Sequence, residues 1–246
     1  TTLTPLLVLG MHRSGTSLVA RALVEAGLYA GTSEEMLAAQ ADNPLGFFER
    51  RDLVETNDAL LDRAGSSWFD PPAELLRDPD PGIESVLGAL RAGAAHEAAP
   101  AAFLKDPRLC LTWPAWVAPG TVLVYVYRNP LAVADSLRRR NAFPLTLGLA
   151  LWERYNRAAL EALGKYPHAC ISYDHVAQDP SLLASSMEEL AALGVVLRRD
   201  VPAHLFEAEL RHATDAGTFA QEQRLLLTPE QARLASYCEG LCAGDE

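Results

Sequence analysis

The apolar positions of this chain fall into short uninterrupted runs, with longer segments of helical periodicity between them. Leu6 to Leu9 is one such run, ended by Gly10, and reads as a strand buried on both faces. Ala102 to Lys105, Thr121 to Tyr127 (TVLVYVY, the clearest) and Ala169 to Tyr173 read the same way. The pattern predicts helices from about Ser14 to Ala26, with Gly27 as the stop, from Asp52 to Ala64, and from Ile83 to about Glu97. Further helices are predicted from about Leu131 to Arg139 and from Phe143 to Leu163, the latter with Leu147, Leu151, Tyr155 and Leu160 on one stripe. Pro180 to Leu193, capped by Gly194, and Pro229 to about Leu241 complete the set. Residues 28–46 read as a loop around a short helix at Glu34–Gln40, and Gly65 to Pro81 as the longest loop. Pro107 forces a turn after the second strand.

Strands alternating with helices predict an α/β fold, a parallel β-sheet flanked by helices on both faces. The 246 residues, 49% of them hydrophobic and undivided by any linker-like stretch, predict one domain over 1–246. Ligands of such sheets bind beyond the C-terminal strand ends. The polar motifs of this chain fall there: Gly10 to Ser17, Lys105 to Arg108, Arg128 to Pro130, and Tyr173.

The first motif spells G-x-x-x-x-G-T-S, a strand–loop–helix arrangement whose backbone N–H groups and helix N-terminus cradle a phosphate. Thr16 stands where the nucleotide-triphosphate loop has its Lys, and Arg13 supplies the positive charge instead. A second anion site is expected from Arg128 at a strand end and Ser136 eight residues later on the next helix, with Arg138, Arg139 and Arg140 extending the basic patch. The strand that ends in Arg128 carries no Asp there to hold Mg²⁺. The ligand expected is therefore one with phosphate at two ends and no need of a metal.

Composition narrows the classes. A formal net charge of −11 disfavours a nucleic-acid partner. Lys105 and Lys165 are the only lysines, so a Lys inside a motif carries information. Cys110 and Cys170 sit in apolar surroundings and read as core; Cys238 and Cys242 lack a second pair at zinc spacing. A reducing, cytoplasmic setting is expected, with no membrane span; the start at Thr1 fits trimming or excision from a larger protein.

The stretches GMHRSGTSLVARAL, NPLGFFERRDLVETNDALL, FLKDPRLCLTWPAW, VLVYVYRNPLAVADSLRRR, LALWERYNRAAL and ISYDHVAQDP, spanning residues 6 to 180, resemble sulfotransferases of the bacterial kind. These use 3'-phosphoadenosine 5'-phosphosulfate (PAPS). The resemblance implies a P-loop NTPase-like fold, with a nucleotide-binding core at about 5–180 and acceptor-side elements at about 28–81 and 195–246. It implies that Arg13, Ser14, Gly15, Thr16 and Ser17 cradle the 5'-phosphosulfate and that Arg128 and Ser136 grip the 3'-phosphate. Tyr173 would lie near the nucleotide. Arg13 stands where many members carry a Lys that stabilises the leaving phosphate, and Lys105 matches a second Lys at the reacting centre.

Many eukaryotic members place a His two residues after that Lys; here Pro107 takes the place, so the base must come from elsewhere. Glu49 is the first candidate, because Phe47 and Phe48 can desolvate it and raise its pKa; its alternative role is to cap the helix that begins near Asp52. Asp106 is a second, with bracing of the turn or pairing to Arg108 or Arg13 as its alternative. Glu34 and His12 complete the set, His12 being better suited to touching nucleotide or substrate. Trp113, Trp116 and Trp152 read as core, Asp174 as a structural hydrogen-bonder, and His204 and His212 as lacking metal-ligand partners.

The expected reaction is in-line transfer of a sulfuryl group from PAPS to a hydroxyl of a small-molecule or carrier-bound acceptor. Tyr29, Phe47, Phe48, Trp68, Phe69 and Phe143 suggest a partly apolar acceptor pocket, suited to a natural product, a lipid or a glycoside. The rivals are a P-loop small-molecule kinase and a catalytically silent nucleotide-binding protein.

Overall fold

The computed structural model describes residues 4–38, 46–201 and 226–244. His204 and His212, and Gln40, Asn43 and Pro44 of the predicted loop, lie outside the described residues. Four strands form one parallel sheet: β1 (Leu6–Leu9), β2 (Phe103–Lys105), β3 (Leu123–Tyr127) and β4 (His168–Ser172), in the order β2-β1-β3-β4. Leu7 of β1 lies opposite Leu104 on one side and Leu123 on the other, and Val124 of β3 opposite Ala169.

Every residue of β1, β2 and β3 is buried, which is why their sequences read as unbroken apolar runs. Strand alternation then sorts them. Leu7, Leu9, Leu123, Tyr125 and Tyr127 enter the core on one face. Leu6, Val8, Val124 and Val126 enter the core on the other. The first face is covered by α2 (Arg51–Arg63), α3 (Pro81–His96), α4 (Leu109–Trp116), α6 (Leu145–Leu163) and the C-terminal helix α9 (Pro229–Ala243). The second is covered by α1 (Thr16–Glu25) and α8 (Leu182–Ala192). α5 (Pro130–Asn141) packs along α6, and α7 (Tyr173–Gln178) follows directly on β4. The architecture is the α/β arrangement expected, a parallel sheet flanked by helices.

Three elements differ from the sequence pattern. α4 has no polar face: Leu109, Cys110, Leu111, Thr112, Trp113 and Trp116 are all buried, so it shows no amphipathic period to read. Trp113, Trp116 and Trp152 are core residues, as their surroundings suggested. The expected helix at Glu34–Gln40 is absent from its described part. Residues 33–35 form a turn and Met36 makes a single bridge to Arg50. Glu35 holds that turn, accepting from the Thr32 N–H at 2.8 Å, from Tyr29 and from Arg50. Tyr173 is not the end of a strand but the first residue of α7, whose cap Ser172 accepts from the His175 N–H.

The four cysteines are free thiols. Cys110 accepts the Gly10 N–H on its Sγ, and burial pushes its thiol up to about 12. Among the described residues no helix is long and apolar enough to cross a membrane, and no cluster of three or more His, Cys, Asp or Glu is placed to hold a metal ion.

Candidate active site

The C-terminal strand ends open into a cavity of about 330 Å³. The loop after β1 forms its floor. Arg13 and Gly15 have positive φ (70° and 89°), so the chain turns sharply before α1 begins at Thr16, two residues later than the sequence pattern suggests. No side chain caps α1 and no acidic residue stands in its first turn. A helix start of this kind can receive an anion on its N–H groups. Gly15 permits this at close quarters, because a Cβ there would stand 2.1 Å from the Tyr173 ring. Thr16 and Ser17 line the cavity with Gly15, whereas Ser14 is buried beneath it and its N–H closes a turn onto the Met11 carbonyl.

The second anion motif meets the first directly. Arg13 Nε donates to Ser136 Oγ at 2.9 Å, and Arg128 Nη1 donates to the Arg13 carbonyl at 2.9 Å. The Arg128 guanidinium stacks 4.5 Å from the Tyr173 ring centre, and its Nε is buried with no partner among the described residues. Asn129 caps α5 through Leu131, and Asp174 accepts the Asn129 N–H at 2.7 Å, the structural role expected of it. The basic run that follows is divided. Arg138 and Arg139 pair with Asp135 on the exposed side of α5, and only Arg140 reaches the cavity, lying over the Phe47 ring. Helical spacing contained the reason: Arg140 is one turn beyond Ser136 and shares its face.

On the opposite wall, Lys105 at the end of β2 is 3% exposed. Its Nζ donates to Glu49 Oε1 at 2.6 Å, to the Phe47 carbonyl at 2.9 Å and to Ser17 Oγ at 3.2 Å. Glu49 lines the cavity beside Phe47. It does not cap α2: the cap position is Arg50, and no side chain bonds there. Burial raises the Glu49 pKa, with a smaller push from Asp106; Lys105 and Arg108 pull the other way.

Asp106 is fully buried and off the cavity lining. It accepts from Asn57 Nδ2 at 2.7 Å and from Arg108 Nη1 at 3.0 Å, and Asn57 in turn accepts from Thr112 and Trp116. The Asp106 contacts are those of the turn-bracing, Arg108-pairing alternative. Glu34 is exposed and likewise off the cavity.

His12 faces the cavity with its ring 4.6 Å from Trp68 and 5.9 Å from Tyr155. Its Nε2 is buried without a partner among the described residues. Burial, then the nearby cations Arg108, Lys105, Arg140 and Arg13, hold its pKa well below 6.5. The unfolded chain therefore takes up this proton first as pH falls, so His12 subtracts stability from about pH 6.5 downward. Glu49, with a raised folded pKa, works in the opposite sense over part of that range. His12→Phe should consequently flatten the loss of thermal stability between pH 6.5 and 5 relative to the unsubstituted protein, as read by paired melting curves.

Trp68 stacks on Phe143, and Phe69 sits edge-on to Trp68, so three of the expected aromatics form one cluster at the mouth beside His12. Tyr155 fastens this loop by donating to the Trp68 carbonyl, and Arg154 does so by donating to the Pro72 carbonyl. Arg108, clamped between Asp58 and Asp106, and Asn141 also line the cavity. Neither Asn141 nor the two loop-fastening residues of α6 announced itself in the sequence, because each reaches the site only through the packing of α5 and α6.

No family model matches the chain, and no curated protein sequence matches it. A solved structure does: a sulfotransferase domain from the curacin biosynthetic pathway, 14% identical, with a TM-score of 0.53, covering 97% of this chain and 99% of that one. The chain has the fold of a sulfotransferase domain.

Proposed function

We propose that this protein is a PAPS-dependent sulfotransferase acting on a hydroxyl of a small-molecule or carrier-bound acceptor. The observation that carries the reading is the joining of the two anion motifs. Arg13, Ser136 and Arg128 form one connected cationic wall, with the orphaned Arg128 Nε buried inside it. A buried guanidinium N–H without a partner is costly, and an anionic ligand would satisfy it. The uncapped α1 N-terminus adds a second anion position along the same wall. A ligand with phosphate at both ends fits this pair, and the sulfotransferase fold of the curacin-pathway neighbour agrees with it.

In this reading Arg13 and the α1 N–H groups take up charge that grows on the departing phosphate, each such contact contributing roughly 10²–10³-fold. Glu49, desolvated and facing the cavity, removes the acceptor proton, a contribution of roughly 10²–10⁴-fold. Lys105 stands between Glu49 and the loop, next to the transferred group. His12, neutral at pH 7, offers a hydrogen bond and not a charge. The aromatic cluster of Trp68, Phe69 and Phe143 receives the apolar part of the acceptor.

A calorimetric titration with 3'-phosphoadenosine 5'-phosphate (PAP) beside ATP, combined with a PAPS turnover assay in EDTA, tests the reading. Tight PAP binding and EDTA-resistant sulfate transfer are expected. Preference for ATP with strict Mg²⁺ dependence would favour a kinase, and PAP binding without turnover on any acceptor a silent nucleotide-binding protein.

A further inference from the structure

Lys105 joins three parts of the site: the phosphate loop through Ser17, the Phe47–Glu49 segment, and β2. An ammonium group has three N–H donors. All three are engaged, by Ser17 Oγ, the Phe47 carbonyl and Glu49 Oε1, within a side chain only 2% exposed. A cation saturated in this way has no donor to offer an incoming anion unless one of those bonds breaks. Ser17 belongs to the first turn of α1, beside the loop that would receive the anion, so a ligand there competes for Lys105 at once.

Glu49 is the partner with most at stake. Its side chain is nine-tenths buried, and its ion pair with Lys105, at 2.6 Å, is the shortest of the three bonds. The other charges that face it are Asp106, from the end of β2, and Arg108, from the start of α4. His12 shares the wall and feels Arg108, Lys105, Arg140 and Arg13. While Lys105 stays, its charge offsets part of the rise in proton affinity that burial gives Glu49. Once Lys105 turns toward a multiply negative ligand, Glu49 loses its counter-charge and gains an anionic neighbour. Both changes raise its affinity for a proton.

We infer that Lys105 is a latch that couples the two substrates: the donor's anionic group draws it off Glu49, and Glu49 becomes a strong base toward an acceptor hydroxyl only when the donor is in place. The inference rests on the sulfotransferase reading above. It assigns Lys105 a second task, since the same movement that brings a cation to the leaving phosphate also arms the base. Acceptor alone meets a carboxylate already paired. The latch step changes no covalent bond; the raised proton affinity appears as partial proton uptake from solvent, and the fraction of Glu49 that stays ionised is the stronger base that accepts the acceptor's proton.

The test is the proton count of PAP binding, measured by calorimetry at pH 7 in two buffers of different ionisation heat. The unsubstituted protein should take up a measurable fraction of a proton in excess of Glu49→Gln, in which the group cannot titrate. Lys105→Met should lose the same excess, because its Glu49 has no partner before the ligand arrives. His12 is the competing sink, since the ligand also neutralises the cations that depress it. His12→Asn should therefore leave the excess intact. Equal counts in the unsubstituted protein and Glu49→Gln, or an excess that disappears in His12→Asn, would overturn the latch and leave the proposed activity standing. Failure of the unsubstituted protein to bind PAP would overturn both.

Discussion

Arg128→Ala should reduce PAPS-dependent turnover by at least ~10²-fold and weaken PAP binding by a comparable factor. Two contacts and an unsatisfied donor are lost together. Arg128 Nη1 holds the Arg13 carbonyl, which stabilises the left-handed turn at Arg13. The guanidinium covers the Tyr173 ring, and its buried Nε is the unsatisfied donor in the anion wall. Arg128→Lys keeps the charge but not the planar fork, so most of the loss should remain. Arg13→Ala should fall as far for a related reason: Ser136 loses its partner, and the loop loses the cation that replaces the usual Lys. Circular dichroism would verify that each variant is folded, and steady-state kinetics with PAPS varied would give kcat/KM. Unchanged turnover in either variant would sink the assignment of both phosphate sites.

Gly15→Ala should damage donor binding more than its backbone conformation alone explains. An L-residue at φ 89° is strained by about 1–2 kcal/mol. Gly120 provides the reference, with nearly the same φ of 85° and nothing within 4 Å of an added Cβ. Gly120→Ala should therefore show the strain and nothing else. At Gly15 the new Cβ would lie 2.1 Å from Tyr173 Cδ2, so the ring must move. Tyr173 is stacked under Arg128, and a displaced ring shifts the guanidinium that organises the loop. PAP affinity should drop more than ~10-fold in Gly15→Ala and stay unchanged in Gly120→Ala, while Gly15→Ala melts lower than Gly120→Ala. Equal melting temperatures together with full PAP affinity at Gly15→Ala would show that the contact between loop and ring does not matter to the site.

Much of the framework was legible along the chain. β1 falls on Leu6–Leu9, and the other strands deviate by one or two residues, because strands buried in a parallel sheet read as near-continuous apolar runs. The amphipathic helices were found for the same kind of reason. α4 was not, since a helix buried on nearly all sides carries no period. α7 carries no readable period either, since six residues are too few, and only its first residue, Tyr173, reads as strand from the sequence.

The site divides along a similar line. Local spacing predicts the strand–loop–helix turn, because the left-handed Gly15 and the uncapped helix start are made by neighbouring residues. Local spacing also placed Arg128 at a strand end and Ser136 on the helix after it. The sequence by itself thus determined a parallel α/β sheet with two basic motifs at its C-terminal strand ends. Only the tertiary structure decided how they meet. Arg13 and Ser136 are 123 positions apart and share a hydrogen bond, and Lys105 and Glu49 are 56 apart and share a buried ion pair. It also held Asp106 against Asn57 and Arg108, off the cavity lining, and sent Arg138 and Arg139 to the surface. Backbone geometry is set by near neighbours, whereas the partner of a charged side chain is set by which elements pack together. Burial then decides which charges stay paired, because a lone charge away from water is too costly to keep.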